Sequence, residues 1–147
     1  MRRYLLDTGI LVHYVRKSPL YQTIESNEKL TEQDCIPFIS VVTMGEILSF
    51  GIQKNWGQAK LQTIRNLLSK LVVLDINSND EILLETYAEI DSYSKNKLPT
   101  DKLGRSITMG KNDLWLASTA KVANATLLTI DGDFDHLNSK YLIVKKY

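Results

Sequence analysis

Apolar residues along this chain switch repeatedly between strand-like and helix-like spacing. Short strands are predicted at 3–6 (RYLL), 36–39 (IPFI), 71–76 (LVVLDI), 126–130 (TLLTI) and 141–144 (YLIV). Helices lie between them. Ser18 followed by Pro19 opens one, combining a side-chain cap with a first-position proline. Leu61, Ile64 and Leu68 mark the face of another. Ser78 and Glu81 spell a capping box before a segment whose Leu83, Tyr87 and Ile90 share one face. A helix over about 110–123 carries LWLASTAKVANA, apolar around most of its surface, and is expected to be central. Such alternation predicts an α/β domain, a parallel sheet covered by helices on both faces, with residues 1–147 forming one domain. The one long irregular stretch is 96–109, and loops of that length are commonly functional or mobile.

Four acids break this apolar pattern: Asp7 after RRYLL, Glu46 after FISVVTMG, Asp113 before LWLA and Asp131 after ATLLTI. In open parallel sheets ligands bind outside the carboxyl ends of the strands. Asp7 follows the first strand and Asp131 the fourth, so both reach that edge. Crossover helices run antiparallel to the strands, so Asp113 in the first turn of its helix and Glu46 early in its own are delivered to the same edge. Each acid has a plainer explanation taken alone. Asp7 is a good helix N-cap. Glu46 ends a capping box begun by Thr43, unless Ser40 caps that helix and leaves Glu46 in the second turn. Asp113 suits a helix dipole, and Asp131-Gly132 suits a turn. Together at one edge, four carboxylates repel one another unless a cation joins them.

Composition narrows the chemistry. The 147 residues are 44% hydrophobic and 24% charged, as in a folded globular domain. Net charge is +1, so a polyanion must be held by a local patch or through a cation. The patch candidate is Lys95, Lys97, Lys102, Arg105 and Lys111, in or beside 96–109, against the single acid Asp101. Cys35 is the only cysteine, so neither an internal disulfide nor a thiolate cluster is available. His13 and His136 are too few and too far apart for a histidine zinc site. The start, MRRYLLDTGILV, imitates a signal peptide until Asp7 cuts it short, and no segment approaches the ~20 apolar residues of a membrane span. A cytoplasmic location is expected.

Two look-alikes fail. Asp131, Asp133 and Asp135 imitate the start of an EF-hand loop, but the required sixth-position glycine is His136 and the twelfth-position glutamate is Leu142. Leu-Leu-Asp7-Thr8-Gly9 matches an aspartic-protease signature, yet those enzymes are almost wholly β, and this chain has several helical segments.

The ordered set Asp7-Thr8, Ser-Val-Val-Thr-Met-Gly-Glu46, Asn112-Asp113-Leu-Trp-Leu-Ala and Leu-Leu-Thr129-Ile-Asp131-Gly-Asp133-Phe134 resembles the PIN domain. In detail it is similar to the VapC-type toxins of toxin–antitoxin pairs, from residue 4 to the last strand. One departure is Gly9, where the family more often has a polar residue. The resemblance implies a three-layer α/β/α PIN-like fold with a central, mainly parallel sheet of about five strands. It implies an endoribonuclease dependent on Mg²⁺ or Mn²⁺, hydrolysing RNA phosphodiester bonds with metal-activated water. Asp7 and Asp113 would bind the metal most directly, and Glu46 and Asp131 would complete the catalytic pocket. Thr8, Asn112, Thr129 and Asp133 match positions that orient those acids. Lys102, Arg105 and Lys111 are the candidates for RNA contact. The implied partners are an RNA substrate, a VapB-like antitoxin and a second copy in a homodimer. The competing expectation is a PIN-like module that binds RNA or a partner without cutting.

Overall fold

The computed structural model describes residues 1–147. Its centre is the strand β1 (Arg2–Leu6), where Tyr4, Leu5 and Leu6 are all buried because both faces of the sheet are covered. Around it stand β2 (Cys35–Ser40), β3 (Val72–Leu74), β4 (Thr126–Thr129) and β5 (Val144–Lys146), every neighbouring pair parallel, in the order β3-β2-β1-β4-β5. Strands alternate their side chains between faces. Tyr4, Leu6, Ile39 and Leu128 point to one layer, made of α1 (Thr8–Arg16), α2 (Pro19–Glu28), α3 (Val41–Gln53) and α4 (Gln58–Leu68). Leu5 and Leu127 point to the other, made of α5 (Glu81–Ser94) and α6 (Lys111–Val122), with a 3₁₀ helix at Gly132–Leu137 sealing it through Phe134 and Leu137. The three-layer α/β/α expectation holds, and the sheet is wholly parallel.

The order of strands reverses between β1 and β4, because β2 and β3 continue to one side of β1 while β4 and β5 continue to the other. A topological switch of this kind opens a crevice at the carboxyl ends of the two central strands. It positions everything that follows.

Several local expectations are met. Ser18 Oγ accepts from the Tyr21 N–H at 3.3 Å with Pro19 as the first helical residue. Ser40, not Thr43, caps α3, accepting from the Val42 N–H at 3.2 Å. The α6 helix buries Leu114 and the run Leu116–Ala120.

Two are corrected. The cap of α5 is Asp80, whose side chain accepts from the Leu83 N–H at 3.0 Å, rather than Ser78. Asn77 accepts from the Asn79 N–H and turns the chain past Ser78, leaving Asp80, an equally good cap, at the helix mouth. The last strand is Val144–Lys146, not 141–144. Leu142 is spent on packing under the sheet beside Leu137, and pairing with β4 begins only where the Leu127 N–H donates to the Ile143 carbonyl at 2.9 Å. The predicted strand at 71–76 shortens to Val72–Leu74.

The 96–109 stretch has neither helix nor strand, but it is braced throughout. The Gly104 N–H donates to Asn96 Oδ1 at 2.9 Å, the Ile107 N–H donates to the Ser94 carbonyl at 2.7 Å, and Lys140 pairs with Asp101. On the opposite face, Glu28 at the end of α2 is only 3% exposed. It accepts from Lys145 Nζ and from the Tyr147 hydroxyl, pinning the end of β5 to the helix layer.

Candidate metal centre

Asp7 stands where β1 ends and α1 begins. Its backbone N–H still donates to the β4 ladder, at Leu128, while its side chain caps α1 by accepting from the Thr8 N–H at 2.7 Å. Across the crevice, Thr129 closes β4. Its fully buried hydroxyl donates to Asp7 Oδ2 at 2.7 Å and accepts from the Asp131 N–H at 3.0 Å. Asp131 in turn caps the 3₁₀ helix, accepting from the Asp133 N–H at 3.0 Å. The plain readings of Asp7 as a cap and Asp131 as a turn residue are therefore both realised. They are also what holds the two carboxylates in fixed positions at the switch point.

The other two acids arrive from helices. Glu46 lies in the second turn of α3, and Thr43 does not cap it, since the buried Thr43 hydroxyl has no hydrogen-bond partner. Thr8 Oγ1 instead donates to Glu46 Oε1 at 3.3 Å, tying α3 to the start of α1. Asp113 is the third residue of α6, whose N-cap is Gly110. A side chain at Gly110 would have its first carbon 3.5 Å from Asp113 Oδ2, an ordinary van der Waals contact.

Electrostatics shows that the acids share one field. Burial and the charges of Asp7, Asp131, Asp133 and Glu46 push the Asp113 carboxyl up to about 6. Burial raises Asp7 as well, against the hydrogen bonds from Thr129 and Thr8, with Asp131 adding to the rise. Burial and Asp7 raise Glu46, against hydrogen bonds from Thr8 and Asn112. None of the five acids is neutralised by the protein: its ion pairs all lie elsewhere. Oxygen-only donors with surplus negative charge suit a hard divalent cation. The acids ring the crevice without three of them crowding close enough to chelate an ion alone. Mg²⁺ keeps several waters and takes one or two carboxylates together with substrate phosphate, so it does not require three carboxylates within reach of it at once.

The match of this chain to known families falls over the same residues. Residues 4–140 match the model of the PIN domain. The chain belongs to the PIN domain family. Two curated relatives are 28% identical over 127 residues, the ribonuclease VapC2 of Rickettsia felis, and 30% identical over 128 residues, the ribonuclease VapC1 of Haemophilus influenzae. Each alignment covers 86% of this chain and 84% of the relative. Among solved structures, VapBC2 of Rickettsia felis bound to a promoter DNA fragment superposes with a TM-score of 0.76 at 26% identity, covering 99% of this chain and 98% of that one.

This PIN domain places the remaining candidates unevenly. Thr8 and Thr129 orient acids through their hydroxyls, while Asn112, beside Asp113, only offsets part of the rise at Glu46. Asp133 holds Asp131 through its backbone N–H, while its carboxylate adds charge beside Asp113. Lys111 is exposed at the first position of α6, two residues from Asp113, and Lys102 and Arg105 are exposed on the braced loop. His136, unsuited to a zinc site, has a structural partner instead. Its Nε2 lies 2.7 Å from the buried Ser94 hydroxyl, which also contacts Met109 Sδ at 3.3 Å, so His136 ties the 3₁₀ helix to both ends of the basic loop. Forty-two positions separate that pair, and no local pattern announces it.

Proposed function

We propose that this protein is a single-domain, Mg²⁺- or Mn²⁺-dependent endoribonuclease that acts as the toxin of a toxin–antitoxin pair. One observation carries the reading: five carboxylates share a crevice at the switch point, with no protein cation to balance them and with Asp113 pushed up to about 6. The two relatives named as ribonucleases support it. Asp7 and Asp113 would hold the cation, and Glu46 and Asp131 would complete the pocket. A divalent ion held there supplies charge neutralisation at the phosphate and acidifies an attacking water.

The chain's own residues do the rest. Thr129 keeps the Asp7 carboxylate turned into the crevice, and Thr8 does the same for Glu46, with Asn112 the neighbouring candidate to assist it. Glu46 or Asp131 accepts the proton of the attacking water, and no histidine is needed. Lys102, Arg105 and Lys111 hold the RNA backbone that the acids alone would repel. Unpaired RNA is the preferred substrate, because its bases are free to be splayed onto a protein surface.

The VapBC2 structure supports an antitoxin partner of VapB type. Phe50, Ile52 and Trp56 offer it apolar surface: Phe50 and Trp56 meet edge to face, and Ile52 is 80% exposed. A larger groove of about 680 Å³ runs between α2 and α4 over β2, lined by Tyr14, Tyr21, Pro37, Leu67 and Leu71. An arginine from the antitoxin, reaching the acids, would pair with them in place of the cation. A homodimer and a cytoplasmic setting complete the reading. The single thiol, Cys35, is free and buried, and no helix is long and apolar enough to cross a membrane.

The test is cleavage of a mixed-sequence single-stranded RNA by purified protein in Mn²⁺. Cleavage that EDTA abolishes is expected. Tight binding of the RNA with no cleavage in any divalent cation would favour the non-catalytic module instead.

A further inference from the structure

Ile130 sits between Thr129 and Asp131, the two residues that arrange the acids, and 43% of its surface is exposed. Its side chain lies over the first turn of α1. A Cβ built on Gly9 would meet Ile130 Cδ1 and Cγ1 at 2.8 Å, closer than side-chain carbons ever stand. A glycine inside a helix costs roughly 1 kcal/mol relative to alanine. Here it leaves the space that Ile130 fills. An isoleucine is stiff about its first torsion, so a side chain at position 9 would push Ile130 into another rotamer. The result is an apolar lip on an otherwise acidic crevice, with Ile130 next to Asp131 and its neighbour Gly9 two residues beyond Asp7.

We propose that Ile130, seated by the missing side chain of Gly9, contacts the base of a nucleotide flanking the scissile phosphate and helps to choose the cleavage position. The inference rests on the ribonuclease reading. Acids and cation address the phosphate, which is common to every nucleotide. The base is the part of a nucleotide with an apolar face, and in unpaired RNA that face is free to pack on a side chain. An exposed aliphatic side chain offers packing without hydrogen-bond readout, so it grades bases by how well they pack rather than selecting one alone.

The experiment compares cleavage maps of one mixed-sequence single-stranded RNA for wild type, Ile130→Ala, Gly9→Ala and the double variant, with kcat and KM on a short RNA. Ile130→Ala should raise KM by about three- to tenfold with kcat nearly unchanged, the size expected for losing one apolar contact, and should redistribute the cuts. Gly9→Ala should shift the same cuts by displacing Ile130, and should add little once Ile130 is alanine. A second readout needs no cleavage: in EDTA, Asp113→Asn should bind the RNA several-fold more tightly than Asp113→Asn/Ile130→Ala. An unchanged map, KM and affinity in an active Ile130→Ala enzyme would overturn this inference and leave the ribonuclease reading standing. A wild-type protein that cuts nothing would overturn both.

Discussion

Thr129 and Asp7, 122 positions apart in the chain, are joined by a 2.7 Å hydrogen bond from a buried hydroxyl to a half-buried carboxylate. The bond bridges β4 and β1 where the strand order reverses, so it fixes the crevice as well as the acid. Thr129→Val keeps the shape and removes the hydroxyl. It strands the Asp131 N–H and frees Asp7 to turn, at a stability cost of about 1–3 kcal/mol. Urea denaturation should show that loss, and the Mn²⁺ concentration needed for half-maximal cleavage should rise at least tenfold. An unchanged Mn²⁺ requirement would remove Thr129 from the arrangement of the site.

Asp113 gives a pH signature. Its folded-state carboxyl lies at about 6, above the ordinary 3.8, so the folded protein holds a proton that the unfolded chain releases between these values. Stability from this group is therefore fully present below about pH 4 and lost as pH rises through about 6. Asp113→Asn should gain on wild type across that window and stay ahead above it, in metal-free buffer. Melting curves from pH 4 to 7.5 test it. A gap between the two proteins that does not widen would mean the acids do not share a field.

Cation and stability are linked in the same site. A divalent ion that binds only the folded state raises the melting temperature by mass action. Millimolar Mn²⁺ should raise it for wild type and much less for Asp7→Asn or Asp113→Asn, both of which should lose RNA cleavage while remaining folded. Equal shifts in all three proteins would displace the ion from this crevice.

Glu28 carries the opposite sign. Burial works against its charge, but hydrogen bonds from Lys145, Tyr147 and Tyr4 prevail and hold it below the ordinary carboxylate range. Its contribution is present above the ordinary value and lost as pH falls through the depressed one. Glu28→Gln should cost about 1–3 kcal/mol at pH 7 and flatten the acid limb of the stability curve, with cleavage unaffected. A variant as stable as wild type at both pH 7 and pH 3.5 would show the clasp to be idle.

Toxicity tests the biological half of the proposal. Expression of the chain alone should slow growth, and Asp7→Asn should relieve the effect. Normal growth from abundant folded wild-type protein would count against a toxin while leaving the nuclease chemistry intact.

The sequence announced the layers, the strand edge and the acids because each is written in local patterns. Asp7 follows its apolar strand directly, Asp131 comes two residues after β4, and Asp113 opens an apolar helix. What could not be read depends on distant partners. Ser78 and Asp80 are equally good caps by type, and only the Asn77 turn decides between them. The YLIV run has strand character, but packing beside Leu137 claims Leu142 and moves the pairing downstream. By sequence Gly9 is only a departure from a polar position, whereas its neighbour Ile130, 121 residues away in sequence, fills the space. His136 looked idle until Ser94 was placed against it.

The central place of β1 has a consequence for synthesis. The first strand made is flanked on one side by β2 and on the other by β4, which is not translated until residues 126–129. At about 5–20 residues per second, the ribosome takes several seconds to add the segment between them. Through that interval Asp7 has no Thr129 to orient it and no Asp131 beside it. On the reading proposed above, a nascent chain therefore lacks the complete set of acids until Asp131 has left the exit tunnel, and the crevice is assembled only at the end of synthesis.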